Sequence, residues 1–262
     1  MPHRSSQSDR PKHAAGSGAK APRDEARTAG ATPRAVAVSA PVSRKYGLLF
    51  ELEHVSTKGR QREYKALKEV LGQYEIPLAP WTYSRYCMHR LPEEYLPRLA
   101  KAAGRQRVPK KLADEIGGAI RGAFCDGNVH LDEGLARMLK AAEGLNMAVG
   151  AVTGLDRETA NVLMAKLNLA GKGIELVCVS DCARGFPAAD AWLKLATNLG
   201  MSPKRCVALA SSAAACRAAL AAGMRCAAVT DDFTAFEDFS GTDYVVEQQT
   251  EALLRDLLAL LT

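Results

Sequence analysis

Five short apolar runs, separated by stretches with helical periodicity, constrain the fold of this chain more than any other feature. Each run is five or six residues long, and together they span residues 48–52, 147–152, 174–179, 206–210 and 225–229. Short buried runs that alternate with helices are typical of parallel strands covered on both faces. The sequence therefore predicts an α/β fold with a doubly wound, Rossmann-like parallel sheet.

The periodic stretches between these runs supply the helices that would cover the sheet. Leu135, Met138 and Leu139 have the spacing of a helix face that packs on a core, so they predict a helix over residues 132–143. The remaining elements predicted in this part of the chain are helices over residues 157–169, 188–199, 212–222 and 249–261, and a short edge strand over residues 244–246.

One segment after the first strand breaks the alternation of strands and helices. Its pattern predicts helices without strands between them, over residues 58–74, 80–90, 92–103 and 109–124. Prolines and glycines punctuate these helices, as expected at helix ends. We therefore predict a small helical cap over residues 58–124 and an α/β core built from residues 46–57 and 125–262.

The first 45 residues differ from the rest in composition. Residues 1–45 contain nine Lys/Arg and three Asp/Glu, so this tail carries the whole formal net charge of +6. The tail has no Leu, Ile, Phe, Trp or Tyr, and cannot bury enough surface to offset the entropy of ordering it. We predict a disordered basic tail, which either contacts an acidic partner or nucleic acid, or is a solvated extension.

Apolar runs and cysteines bear on location and on metal binding. No run approaches the ~18 apolar residues of a membrane span, and no secretory signal follows the early basic residues. The seven cysteines form no CxxC pair, and the five histidines have no zinc spacing. Cysteines in apolar runs suit small buried side chains in a reducing compartment. These features predict a cytoplasmic protein without a membrane partner or a metal–thiolate site.

The first strand leads into a motif with the letters YGLLFELEHV at residues 46–55. It resembles the nucleophile strand and loop of the haloacid dehalogenase (HAD) superfamily, where an apolar strand ends in Asp-x-Asp-Gly-Thr. In this chain Glu51 and Glu53 stand at the two aspartate positions. His54 stands at the glycine position and Val55 at the threonine position.

Three later segments carry the same resemblance. Thr153 and Gly154 end the second predicted strand, where the family places a phosphate-binding threonine or serine. Residues 179–190 resemble the Gly-Lys-Pro-x-Pro-Asp segment that supplies the family's lysine, and residues 206–224 resemble its Glu-Asp-Ser strand end and alanine-rich helix. The resemblance spans residues 46–246 and is closest to the capped branch that contains phosphoglycolate phosphatase and beta-phosphoglucomutase.

This resemblance implies a magnesium-dependent phosphoryl-transfer site. In the family, one aspartate attacks phosphorus, a second protonates the leaving oxygen, a lysine neutralises the charges, and further acids help to hold magnesium. Phe186 takes the lysine position of this chain, while Ala210 and Ser211 take the acidic pair. The sequence therefore lacks the cation and the metal-binding acids at the positions where the family has them.

The altered residues also change geometry and leave few replacements. The extra methylene of Glu51 displaces its carboxylate by ~1 Å, and such a displacement can cost about a hundredfold in rate. Arg184 and Lys194 are the candidates for the missing cation, and His54 is a candidate acid–base group.

The polar residues at the strand ends each have a second interpretation. Thr153 would bind phosphate, or its hydroxyl would cap the following helix. Glu51 and Glu53 would take part in catalysis, or they would be exposed acids that pair with Lys58 or Arg60.

Three functional hypotheses follow from the sequence. The first is a HAD-like pseudoenzyme without a cofactor, which acts in binding or assembly and holds a protein partner or a small ligand in the cap–core cleft. The second is an active hydrolase or phosphomutase of small phosphorylated metabolites that uses magnesium and the two glutamates. The third is a nucleic-acid-associated protein that binds through its basic tail. The departures from the family pattern favour the first.

Overall fold

The computed structural model describes residues 44–125, 128–183 and 187–261. Its core is one sheet of six strands in the order β3-β2-β1-β4-β5-β6, with every neighbouring pair parallel. The strands are β1 Gly47–Glu51, β2 Ala148–Thr153, β3 Glu175–Cys178, β4 Cys206–Ala210, β5 Arg225–Val229 and β6 Tyr244–Val246. The predicted doubly wound parallel sheet is therefore confirmed, with strand boundaries within one residue of those expected from the apolar runs.

Helices lie in every connection between the described strands except the one from β5 to β6, and a further helix follows β6. They are α1 Leu52–Thr57, α2 Gly59–Gln73, α3 Pro80–Thr82, α4 Pro92–Ala102, α5 Leu112–Cys125, α6 Glu133–Gly144, α7 Arg157–Lys166, α8 Ala189–Asn198, α9 Ala213–Ala221 and α10 Glu251–Ala259. Asp132 and Asp156 begin α6 and α7 with side chains that accept a hydrogen bond from the backbone, as N-cap residues do. Among the described residues, no helix is long and apolar enough to cross a bilayer.

The sheet is buried on both faces because its strands are apolar at successive positions. Leu48 and Phe50 point into the layer that contains α6, α7 and α10, whereas Leu49 points into the layer that contains α8 and α9. At Gly150 of β2, a Cβ atom would lie 2.6 Å from the side chain of Leu195, so a larger residue there would require this α8 side chain to shift. Each face of the sheet thus has an apolar layer of helices packed on it.

The helical insert between β1 and α6 has a hydrophobic cluster of its own. Tyr64 and Tyr83 from the insert pack with Phe233, which follows β5, at ring-centroid distances of 5.1 to 5.6 Å. The predicted helix over residues 80–90 is confirmed over residues 80–87 but ends earlier than expected: α3 continues as a π-helical turn over Tyr83–Cys87 and stops there. His89 lies just beyond with a positive φ of 57°, which no helix continues through.

The assignment of the helical insert as a cap stays a prediction. The predicted disordered tail lies outside the described residues, except for Arg44 and Lys45.

Candidate functional site

The carboxyl ends of β1, β2 and β4 bring the predicted site residues together. In the order β3-β2-β1-β4-β5-β6, the chain adds β2 and β3 on one side of β1, and then adds β5 and β6 on the opposite side of β4. The direction in which strands are added therefore reverses between β1 and β4. Ligands of open α/β sheets bind at such a switch point, beyond the carboxyl ends of the strands. Glu51 ends β1, Thr153 ends β2 and Ser211 follows β4, so all three lie at this edge.

The chain directly after β1 is helical rather than the loop that the motif resemblance predicted. Helix α1 begins at Leu52 and ends at Thr57, and Lys58 follows it in the left-handed region with φ 54°. Leu52 and Val55 are 0% and 2% exposed, so burial against the core stabilises this turn despite the low helix propensity of its residues. Glu53 and His54 therefore have their positions fixed by a helix.

Glu51 is directed sideways, toward the end of the neighbouring strand. Its Oε2 accepts a hydrogen bond of 2.6 Å from the backbone N–H of Ser211 and a second one from the Ser211 hydroxyl. The side chain is 1% exposed, and its other oxygen, Oε1, is buried without a hydrogen-bond partner in the described structure. Burial raises the pKa of Glu51 from 4.5 to about 7, although the nearby Arg60 and the hydrogen bonds from Ser211 oppose this rise.

A buried arginine completes the centre, and it comes from the helical insert. The guanidinium of Arg60, on α2, donates a hydrogen bond of 2.9 Å from Nη2 to Ser211 Oγ and one of 3.1 Å from Nη1 to Asp231 Oδ2. Its side chain is 1% exposed. Burial alone would lower the pKa of Arg60, but the charges of Glu51 and Asp231 more than offset this, so the pKa is raised and the cation is retained.

The approach of α2 to α1 places this arginine. A Cβ atom on Gly59 would lie 2.3 Å from the carbonyl oxygen of Glu53, closer than any side chain can come, so the first turn of α2 needs glycine. The Arg60 side chain follows directly and reaches Ser211 across 151 residues of sequence. The hydroxyl of Ser211 thus joins Glu51, to which it donates, with Arg60, from which it accepts.

Glu53 belongs to a second network, at the end of β2. Its Oε2 accepts a hydrogen bond of 2.6 Å from the Thr153 hydroxyl, and its Oε1 accepts one of 2.8 Å from the backbone N–H of Gly154. The residue is 4% exposed, and burial raises its pKa although both hydrogen bonds oppose this. The predicted alternative of exposed acids is therefore wrong for Glu53 and for Glu51.

The Thr153 hydroxyl is engaged on both sides. Besides donating to Glu53, it accepts a hydrogen bond of 3.1 Å from the backbone N–H of Leu155. The cap of the following helix is Asp156 instead, because its carboxylate accepts a hydrogen bond from the backbone N–H of Thr159. Thr153 thus holds Glu53 in place, and a role in phosphate binding stays a prediction for Thr153 and Gly154.

His54 cannot act as a cation in this environment. Burial, together with the charge of Arg60, lowers its pKa well below the ordinary value, so the imidazole is neutral at physiological pH. Its Nε2 lies 4.0 Å from Glu53 Oε1, and its Nδ1 is buried without a hydrogen bond among the described residues.

The residues present do not fit a magnesium ion at this centre. Ala210 is buried in the apolar layer and offers no ligand, and Ser211 already shares its hydroxyl between Glu51 and a guanidinium. A cation hydrogen-bonded at this position opposes a second cation electrostatically. Within residues 44–125, 128–183 and 187–261, no three His, Cys, Asp or Glu side chains are placed to hold a metal.

The structure locates one of the two predicted replacements for the family lysine, Lys194. Lys194 donates a hydrogen bond of 2.7 Å to the carbonyl oxygen of Asp181, at the exposed end of β3. Phe186 and Arg184 lie outside the described residues. Arg60 takes the cationic role at the centre, and sequence reasoning considered it only as a surface partner. The sequence around Arg60, just after Thr57–Lys58, contains no motif that indicates this role, because the residues that Arg60 contacts are remote in the sequence.

A polar cavity of about 470 Å³ borders this centre on the side of Asp231. His54, Lys58 and Asp231 are among its lining residues, but Glu51 and Thr153 are not. The two carboxylate networks are therefore closed off from the space beside them.

Comparisons with known proteins place these observations in context. No protein-family model matches the chain. It is 30% identical over 186 residues to the fructose-1-phosphate phosphatase YqaB of Escherichia coli, which covers 69% of this chain and 94% of that protein. It is 23% identical over 223 residues to the protein CbbY of Rhodobacter capsulatus, which covers 78% of this chain and 94% of the relative.

A solved structure agrees with these matches in fold. The crystal structure of a HAD hydrolase of family IA, variant 3, from Entamoeba histolytica superposes with a TM-score of 0.70 and 16% sequence identity. The match covers 82% of this chain and 99% of that one.

Proposed function

The chain belongs to the HAD-like family of phosphatases and phosphoglucomutases, and we propose that it is a member that binds partners without turning over phosphate esters. One observation carries this proposal: Ser211, at a metal-binding position of the family, is hydrogen-bonded to Arg60, a buried cation that also pairs with Asp231. The Ser211 hydroxyl links the Arg60 guanidinium, from which it accepts a hydrogen bond, to the Glu51 carboxylate, to which it donates one.

The state of Glu51 supports the same proposal. Attack on phosphorus needs an ionised carboxylate about 3–3.5 Å from the reacting atom. Glu51 is 1% exposed, its pKa is raised to about 7, and one oxygen accepts two hydrogen bonds from Ser211. The longer side chain of glutamate, compared with aspartate, lets the carboxylate reach the end of β4.

The acid–base position is equally occupied. Both oxygens of Glu53 accept hydrogen bonds, from Thr153 and from Gly154. A group that protonates a leaving oxygen must instead direct its proton toward the substrate. The networks of Glu51 and Glu53 together favour a structural use of the family's catalytic positions.

A second candidate function is an active phosphatase or phosphomutase, and two observations favour it. The relatives include a protein named as a fructose-1-phosphate phosphatase, 30% identical to this chain. Glu51 Oε1 receives no hydrogen bond in the described structure and would be the attacking oxygen if the helical insert moved away with Arg60. This candidate requires magnesium, as the family resemblance implies, and an opened state.

Binding measurements separate the two candidates. Isothermal titration of the full chain with Mg²⁺, and with orthovanadate as a phosphate mimic, should give no saturable signal at millimolar concentrations. The matched variant restores the family pattern with Glu51→Asp, Glu53→Asp, Phe186→Lys and Ser211→Asp, and it should gain Mg²⁺ binding. Saturable binding of Mg²⁺ and vanadate to the unmodified chain, abolished by Glu51→Gln, would establish the active candidate.

A further inference from the structure

The neutral sum of charges over residues 46–262 conceals a strong segregation. The helical insert, residues 58–124, contains 14 Lys/Arg and 7 Asp/Glu, a difference of +7. The rest of the folded region, residues 46–57 and 125–262, contains 12 Lys/Arg and 19 Asp/Glu, a difference of −7. A surface of one sign attracts partners of the opposite sign. The insert is therefore basic, and the α/β core to which it is joined is acidic.

This basic insert also contains a surface groove of about 860 Å³. The groove runs between the start of α3 and the last two turns of α4. Its lining residues are Pro77, Ala79, Trp81, Thr82, Tyr86, Arg98, Leu99, Lys101, Ala102 and Ala103. None of the catalytic-position residues belongs to it, so the groove is separate from the site described above.

The groove has an apolar lining with an exposed aromatic side chain. Trp81 is 64% exposed, whereas the other tryptophan of the chain, Trp192, is 0% exposed. Leu99 is 4% exposed and forms part of the lining with alanines and a proline. Concave apolar surfaces with an exposed tryptophan are typical of places where a partner's side chains are buried.

The charged residues of the groove are all cations. Arg98 and Lys101 lie three residues apart on α4, so they project from the same side of that helix. Both are exposed, and neither forms an ion pair among the described residues. Arg85 adds a third positive charge nearby, with its guanidinium 5.5 Å from the ring centre of Tyr86. No acidic residue lines the groove.

We propose that this groove binds an acidic amphipathic peptide segment of a partner protein. Large apolar side chains of the segment pack against Trp81 and Leu99, while its carboxylates face Arg98 and Lys101. The chain's own residues 1–45, which carry +6, have the wrong sign for this surface. The proposal does not depend on whether the catalytic positions turn over phosphate.

Peptide fits the groove better than nucleic acid does. A single-stranded nucleic acid needs a track of cations along its backbone and successive aromatic platforms for its bases. Here the lining beside Trp81 and Tyr86 is aliphatic and concave, and only Arg98 and Lys101 contribute charge from within it. Such a lining accommodates protruding apolar side chains.

Tryptophan fluorescence provides the test, because Trp81 is exposed and Trp192 is buried. The probe is an 18-residue amphipathic peptide of Leu and Glu, with leucines at helical spacing, titrated into the full chain. We expect the emission of Trp81 to shift to shorter wavelength and to become protected from acrylamide. The same peptide with Lys in place of Glu, and a 12-residue oligouridylate, should leave the emission unchanged.

Charge-reversal variants assign the effect to the groove. Arg98→Glu combined with Lys101→Glu should weaken binding of the Glu peptide by about tenfold or more, as expected for paired charges at an interface. Lys65→Glu combined with Lys110→Glu changes the net charge equally at exposed positions outside the groove and should weaken binding less than about twofold, since only long-range attraction is lost.

Four results would overturn the proposal. One is the absence of a Trp81 response to the Glu peptide at millimolar concentration in a chain with unchanged circular dichroism. A second is equal weakening by the two charge-reversal pairs. The third is a Trp81 response to oligouridylate, which would identify a nucleic-acid surface. Self-association of the free chain that protects Trp81 would likewise replace the partner peptide by a second copy.

Discussion

Arg60 and Asp231 form an ion pair of 3.1 Å between residues that are 171 positions apart in the sequence. The pair connects α2 of the helical insert to the segment after β5, and Arg60 also contacts Ser211, directly after the neighbouring strand β4. The guanidinium side is 1% exposed and the carboxylate side is 24% exposed. This contact closes the centre from the side of the insert.

Replacing Arg60 by methionine should destabilise the fold markedly. Removal of one partner of a buried ion pair leaves uncompensated charge and typically costs about 3–5 kcal/mol. Here the change would leave the carboxylates of Glu51 and Asp231 without their positively charged partner. The measurement is the urea midpoint of unfolding, with Arg85→Met, an exposed position, as the matched control. Equal midpoints for the two variants would show that the Arg60 network contributes nothing to stability.

The raised pKa of Glu51 predicts a pH-dependent stability difference. Because the folded pKa of about 7 exceeds the ordinary 4.5, the folded state prefers the protonated carboxyl group. Its stabilising contribution is complete below pH 4.5 and is lost as the pH rises through 7. A Glu51→Gln variant stays neutral, so its free energy of unfolding relative to the unmodified chain should rise between pH 5 and pH 8, by about 3 kcal/mol at most.

Chemical denaturation of both proteins across this pH range tests the sign. The titrations of Glu53 and Glu63, whose pKa values are also raised by burial, occur in both proteins and cancel in the difference. A difference that stays constant, or that falls as the pH rises, would contradict the raised pKa of the buried Glu51 carboxyl group.

Thr153 should matter for stability through its hydroxyl group. A Thr153→Val change keeps the shape but leaves Glu53 Oε2 and the backbone N–H of Leu155 without their partner. An unsatisfied buried polar group costs about 1–3 kcal/mol. The control is Thr197→Val, whose hydroxyl bonds to Leu193 at the surface and should cost less than about 0.5 kcal/mol. Similar losses in thermal stability for both variants would remove Thr153 from the Glu53 network.

Much of the fold could be predicted because local pattern and burial agree in it. Strand β4, for example, was expected over residues 206–210 and spans Cys206–Ala210, since a run of five apolar residues suits a strand covered on both faces. Helix α1 was missed because Val55, Ser56 and Thr57 have low helix propensity, and only tertiary burial makes them helical. The π-helical turn at Tyr83–Cys87 has no sequence signal either.

The sequence predicted most of the residues that lie at the candidate site, but not which of them contact one another. The motif placed Glu51, Glu53 and Thr153 at neighbouring strand ends, and the structure brings them to one edge. The hydrogen bond between Glu51 and Ser211 depends on the extra methylene of glutamate. The spacing of residues in the sequence does not show how far a side chain reaches. The contacts of Arg60 could not be predicted from the sequence, because its partners lie 151 and 171 residues away in the chain.

The most direct test of the account is phosphate release by the full chain. An aryl phosphate and fructose 1-phosphate are incubated with the protein and Mg²⁺, and inorganic phosphate is measured against Glu51→Gln as the control. Since Arg60 and Ser211 occupy the centre, the unmodified chain should release phosphate no faster than the variant does. A magnesium-dependent rate that the Glu51→Gln variant loses would contradict the account.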